Sequence, residues 1–180
     1  MPDWTIGTEA RISAIRLAAD MRAGTVQFTP LWTLNRDDWK SSVSLLPLGS
    51  RTLVVTGYGI GTTNGTGNYG ACDPPMGGIL AIDPLNGEIA WEDQFVNEGN
   101  VRGSTAVADI DGDGQNEVLI TLGCYGKVYA YDGATGQREW GLQLGPRTIG
   151  TVSVGDLDGD GFLEIIVPSY DGNVYALGGQ

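Results

Sequence analysis

Residues 109–117 read DIDGDGQNE and residues 156–164 read DLDGDGFLE. Each stretch is entered from a short apolar run and left directly into another, Val118-Leu119-Ile120 in the first copy and Ile165-Ile166-Val167 in the second. Branched aliphatic residues of that kind suit a pleated strand. The sequence therefore sets the same acidic loop twice between β-strands, and this decides the fold class.

The chemistry of the loop follows from its spacing. Ca²⁺ takes about six to eight hard oxygen ligands from a flexible backbone, and carboxylates at alternate positions can supply them. In the first copy the ligands would be Asp109, Asp111, Asp113, the carbonyl of Gln115 and the closing carboxylate of Glu117. In the second they would be Asp156, Asp158, Asp160, the carbonyl of Phe162 and Glu164. Two calcium ions are expected, in a structural role, because the ligand positions are filled and no histidine stands beside them. An EF-hand opens in the same way but closes on a Glu at its twelfth position. Ile120 and Val167 stand there instead. A dockerin module also duplicates acidic loops, but its loops run into helices.

Composition agrees with a turn-rich β protein: 29 of the 180 residues are glycine and only 18% are charged. A net charge of −12 excludes the basic footprint that nucleic acid requires. Much of that acidity belongs to the loops, which hold eight of the 22 acidic residues, four in each. No stretch approaches the roughly 20 apolar residues of a membrane span. The first residues, Met1-Pro2-Asp3-Trp4, lack the pattern of a secretory leader. An extracellular or cell-surface location is expected instead from calcium chemistry, since weak extracellular modules work at the calcium levels found there.

A second repeat overlies the acidic loops. Ile12-Ser-Ala14-Ile15, Ile79-Leu-Ala81-Ile82, Val128-Tyr-Ala130-Tyr131 and Val174-Tyr-Ala176-Leu177 share an apolar-x-Ala-apolar core. After the first three comes a turn and a strand bearing Trp32, Trp91 or Trp140. Two of the turns, Asp83-Pro-Leu-Asn-Gly87 and Asp132-Gly-Ala-Thr-Gly136, carry the residues of a hairpin connection. Each unit thus has four strands, and the loops start 47 residues apart, at Asp109 and Asp156. A four-stranded unit of about 40–50 residues has the size of a β-propeller blade.

The fold class expected is all-β, with propeller-type blades of four antiparallel strands, about three blades' worth and incomplete at both ends. The divisions are 1–41, a partial blade of third and fourth strands; 42–95, a metal-free blade with a long Gly-rich insertion at 59–78; 103–145, a calcium blade; and 150–180, a partial calcium blade. Residues 8–23 also carry helix formers, but the match of Ile12 to Ile15 with the third-strand core favours strand.

The stretch GDLDGDGFLEIIVPSYDGNVYAL (155–177) resembles the FG-GAP or VCBS calcium repeat, and GKVYAYDGATGQREW (126–140) resembles the PQQ-like propeller repeat. The likeness is strongest from Val101 to Leu177 and weakest before Gly49. In integrin-α-type propellers such loops hold calcium, which implies the same for the ten positions named above. The equivalent loop of the second unit, Pro47-Leu-Gly-Ser-Arg51, has no carboxylate.

Other residues invite specific roles. Cys72 and Cys124 fall in second-to-third-strand loops of adjacent units, where they could form a disulfide or stay as two buried thiols. Asn64-Gly65-Thr66 fits the N-glycosylation pattern. The recurring tryptophans suit packing between blades, or a platform for a sugar. Total absence of histidine excludes serine-type triads and histidine-bound metals.

The expected function is that of a non-catalytic, calcium-stabilised extracellular propeller serving structure, adhesion or self-assembly. Its partners would be further copies or further blades, with a carbohydrate or protein ligand also compatible. The alternative is part of a larger secreted propeller enzyme, such as a polysaccharide lyase or a quinoprotein dehydrogenase.

Overall fold

A computed structural model describes residues 10–20, 22–36, 41–60, 76–123, 125–148 and 150–178. All regular structure among them is β, in four antiparallel sheets. The first is a hairpin of β1 (Ala10–Asp20) and β2 (Thr25–Arg36). The second contains β3 (Ser44–Leu48), β4 (Arg51–Ile60), β5 (Met76–Ile82) and β6 (Ile89–Val96), paired in chain order. The third repeats that order with β7 (Ala106–Ala108), β8 (Glu117–Leu122), β9 (Lys127–Asp132) and β10 (Arg138–Gln143). The fourth has β11 (Ser153–Gly155), β12 (Glu164–Pro168) and β13 (Val174–Gly178). These are two complete blades flanked by a two-stranded and a three-stranded one, and residues 10–20 are strand.

The same turn chemistry closes each third-to-fourth-strand hairpin. Asp83 Oδ1 accepts the N–H of Leu85 at 2.8 Å, and Asp132 Oδ1 accepts that of Thr135 at 2.6 Å. The N–H groups of Gly87 and Gly136 return to the carbonyls of Asp83 and Asp132. At the first hairpin Asp20 Oδ1 accepts from Arg22 and Ala23. Gly24, Gly87 and Gly136 all end their turns at positive φ, between 62° and 79°.

Register is equally regular. Ala14 pairs with Trp32, Ala81 with Trp91 and Ala130 with Trp140. In every case the residue just before the tryptophan is bulged out of the ladder. A bulge adds local twist, which lets the fourth strand diverge while its tryptophan reaches toward the next blade.

Blades stack face to face, so an inner blade is buried on both sides. Ile12, Trp32 and Leu34 of the first sheet pack on Tyr58, Leu80 and Ile82 of the second. The opposite face of the second, with Leu46, Val55, Ile79, Ala81 and Phe95, meets Val118, Ile120, Leu122, Tyr129 and Tyr131 of the third. Leu119, Val128 and Ala130 then meet Val152, Ile165 and Val167 of the fourth. All six residues of β8 are buried. Tyr129 and Tyr131 are buried along with the residues between them, because the third sheet has a neighbour on each face and so lacks the strict alternation of a sheet with one wet face.

The described ends of the expected Gly-rich insertion are also strand, since Gly59 pairs with Gly77 and Ile60 with Met76. A side chain at Gly77 would collide with the backbone of Tyr58 and Asn100. Close packing, rather than loop freedom, demands glycine there.

Candidate metal sites

Each acidic loop joins the first and second strands of its blade, Ala108 to Glu117 in one and Gly155 to Glu164 in the other. The two loops are wired alike. Asp109 Oδ1 and Oδ2 accept the N–H groups of Gly112 and Gly114, and Asp156 does the same with Gly159 and Gly161. Asp111 Oδ1 accepts from Asp113 N, and Asp158 Oδ1 from Asp160 N. The closing glutamates reach back across the loop. Glu117 Oε2 accepts the N–H of Ile110 at 2.8 Å and Glu164 Oε2 that of Leu157 at 2.7 Å.

Glycine is required here for backbone shape rather than for space. Gly112, Gly114, Gly159 and Gly161 have φ between 79° and 92°, while a Cβ on any of them would meet nothing within 4 Å. The left-handed residues curl the chain so that side-chain oxygens converge.

Asp109, Asp111 and Glu117 each bring a carboxylate oxygen within 4.8 Å of the other two, as do Asp156, Asp158 and Glu164. Three negative groups so close repel one another unless a cation or a proton intervenes. Glu117 shows the strain: it is 2% exposed, and burial pushes its carboxyl up to about 7 against the pull of the Ile110 N–H, with Asp111, Glu139 and Asp109 adding to the rise. An all-oxygen, anionic donor set fits a hard cation of the calcium, magnesium or manganese class.

The remaining expected ligands sit differently. Asp113 spends Oδ1 on the N–H of Gln115 and Oδ2 on its side-chain amide, and Asp160 Oδ1 accepts from Phe162 N. Gln115 and Phe162 therefore anchor the third aspartate through their N–H groups. In the second sheet the equivalent connection is a tight turn at Gly49 and Ser50 between the paired Leu48 and Arg51. Cys72, Cys124 and Asn64 lie outside the described residues.

Sequence reading missed a second set of polar groups, between the blades. Arg138 of β10 donates to Asp93 of β6 at 2.7 Å and to Glu98 at 3.1 Å. Its guanidinium lies 4.1 Å from the centre of the Tyr129 ring. Tyr129 and Tyr131 donate their hydroxyls to Glu98 and Asp93. One blade earlier, Arg36 bonds Glu92 at 3.1 Å and lies over Tyr58, whose hydroxyl donates to the same carboxylate. These groups lie far apart in sequence and meet only where blades stack, so no local pattern marks them.

The fold is of the propeller type, built from repeated blades that carry paired acidic loops. Residues 109–167 match the FG-GAP-like repeat family. Among solved structures the chain is similar to the V. cholerae biofilm matrix protein Bap1, at 20% identity and a TM-score of 0.55, over 78% of this chain and 24% of that one. It is similar to BamB from Moraxella catarrhalis at 21% identity and a TM-score of 0.50, over 95% and 43% of the two chains. For rhamnogalacturonan lyase YesW the values are 20%, 0.52, 82% and 34%. The chain thus spans less than half the length of each of these proteins, and the likeness is one of fold. A search of curated proteins finds no match.

Proposed function

We propose that this chain is a calcium-stabilised, non-catalytic propeller module that works outside the cell in structure, adhesion or assembly. The observation that carries this reading is the pair of matching Asp-Asp-Glu clusters in adjacent blades. Two calcium ions bind, one per loop. Asp109, Asp111 and Glu117 hold the first and Asp156, Asp158 and Glu164 the second, with Asp113, Asp160 and the carbonyls of Gln115 and Phe162 completing the shells as the bound loops tighten.

Calcium in this position ties the first strand to the second in each blade and offsets carboxylate repulsion, so its binding energy becomes folding energy. Extracellular calcium levels suit such a site, and a biofilm matrix protein among the similar folds supports the location. The alternative, a segment of a larger propeller lyase, has the fold of the rhamnogalacturonan lyase in its favour. Both groups of three converging carboxylates among the described residues, however, lie in blade loops.

Thermal unfolding in millimolar calcium and in chelator tests the proposal. A calcium-dependent rise in melting temperature is expected. Identical melting in the two conditions would overturn it.

A further inference from the structure

The four third strands permit a direct comparison of blade faces. Ile79 and Ala81, and Val128 and Ala130, face the following blade, while Ile82 and Tyr131 face the preceding one, and all six are fully buried. The same positions at the two ends of the array are open. Ile15, the counterpart of Ile82 and Tyr131, is 55% exposed, and Val174, the counterpart of Ile79 and Val128, is 69% exposed.

Around Ile15 the hairpin presents a continuous apolar face. The register sets Leu17 opposite Phe28 and Ala19 opposite Val26 on the same side of the sheet as Ile15. Leu17, Val26 and Phe28 are each more than half exposed. At the other end the matching face of the fourth sheet carries Val174, Ala176 and Ile166. Charge differs between the ends. Residues 10–36 hold Arg11, Arg16 and Arg22 against Asp20, with Arg36 already paired to Glu92 of the second blade, whereas residues 150–178 hold Asp156, Asp158, Asp160, Glu164 and Asp171 with no lysine or arginine, an excess that one calcium in the loop would reduce but not cancel.

We infer that the exposed face of the β1–β2 hairpin docks on the outer face of the β11–β13 sheet of a second copy of this chain. The contact continues the blade-on-blade stacking already present three times within the chain, and it rests on the assembly role proposed above. Apolar positions buried in every internal interface are then buried in this one too. The basic hairpin meets an acidic sheet, which favours head-to-tail pairing over head-to-head. Because the two surfaces differ, the contact is heterologous and yields a ring if the rotation closes or a filament if it does not.

The test uses the full chain in millimolar calcium, with mass followed by light scattering as concentration rises. The intact chain should grow into larger species, and high salt should weaken them. Leu17→Lys and Val174→Lys alter one surface each at exposed positions. Each variant alone should remain monomeric, and an equimolar mixture should form a dimer and stop there, because only one matched pair of surfaces survives. A monomeric intact chain at all soluble concentrations would overturn the inference, as would Val174→Lys assembling like the unaltered chain. Calcium-dependent melting is read on the same samples: if it persists in a strictly monomeric chain, the docking fails while the calcium reading stands.

Discussion

Trp91 of the second blade donates its indole N–H to the carbonyl of Gly133 in the third, at 2.9 Å. Trp32 repeats the contact one blade earlier, donating to Pro84 at 2.9 Å. Both acceptors immediately follow the aspartate that opens a third-to-fourth-strand turn, Asp132 or Asp83, and both turns end in a glycine lying under the same indole. The repeating tryptophan is thus a blade-to-blade fastener, and it is the turn glycine that leaves room for its ring.

Removing only the hydrogen bond should have a modest effect. Trp91→Phe is expected to cost about 1 kcal/mol, and Trp91→Ala about 3–5 kcal/mol because the ring's packing is lost as well. Gly136→Ala should also destabilise, since Gly136 combines a φ of 71° with close contact to the Trp91 ring. Urea unfolding in calcium checks all three. A Trp91→Ala variant as stable as the parent would contradict the fastener.

Most of the blade plan was legible in the sequence. Alternating apolar runs, turns opening on aspartate and closing on glycine, and the Ala–Trp register are local signals, and each has its structural counterpart. The acidic loops were legible as places where carboxylates converge, because their spacing is also local. What sequence did not show depends on stacking: the double burial of β8, the core positions of Tyr58, Tyr129 and Tyr131, and the anchoring of Arg138 between Asp93 and Glu98. An arginine in a fourth strand looks solvated until a neighbouring blade surrounds it with acids and rings.

Arg138 accordingly holds two carboxylates and an aromatic face together. Arg138→Ala should destabilise by about 1–2 kcal/mol, the partial exposure of the ion pairs limiting their share. Arg138→Lys should recover only part of this, because an ammonium cannot fork to two carboxylates while stacking on Tyr129. Paired urea melts of the two variants check the order.

Ionisation of the interblade tyrosines gives a pH signature. Burial, reinforced by Glu92, Glu98 and Asp93 respectively, raises the pKa of Tyr58, Tyr129 and Tyr131 above the usual tyrosine value. The folded state therefore holds protons that the unfolded chain releases near pH 10, and stability falls as pH rises beyond that point. Ultraviolet titration should show these three of the seven tyrosines ionising only as the fold melts. Ionisation of all seven near pH 10 with the fold intact would contradict it.

The two loops should contribute separately to calcium stabilisation. Asp111→Ala and Asp158→Ala each remove one carboxylate from one cluster, so each should lose part of the calcium-dependent rise in melting temperature and the double variant nearly all of it. A saturated site at about 100 times its Kd contributes roughly 2.7 kcal/mol, which is large enough to resolve by calorimetry. Equal calcium shifts in the parent and the double variant would contradict the assignment.

Calcium stoichiometry is the most direct test of the account. Titration calorimetry of the chelator-stripped chain should give two ions per chain, falling to one in Asp158→Ala. A chain that binds no calcium at millimolar concentration, or binds two ions despite that substitution, would contradict the paired-loop account.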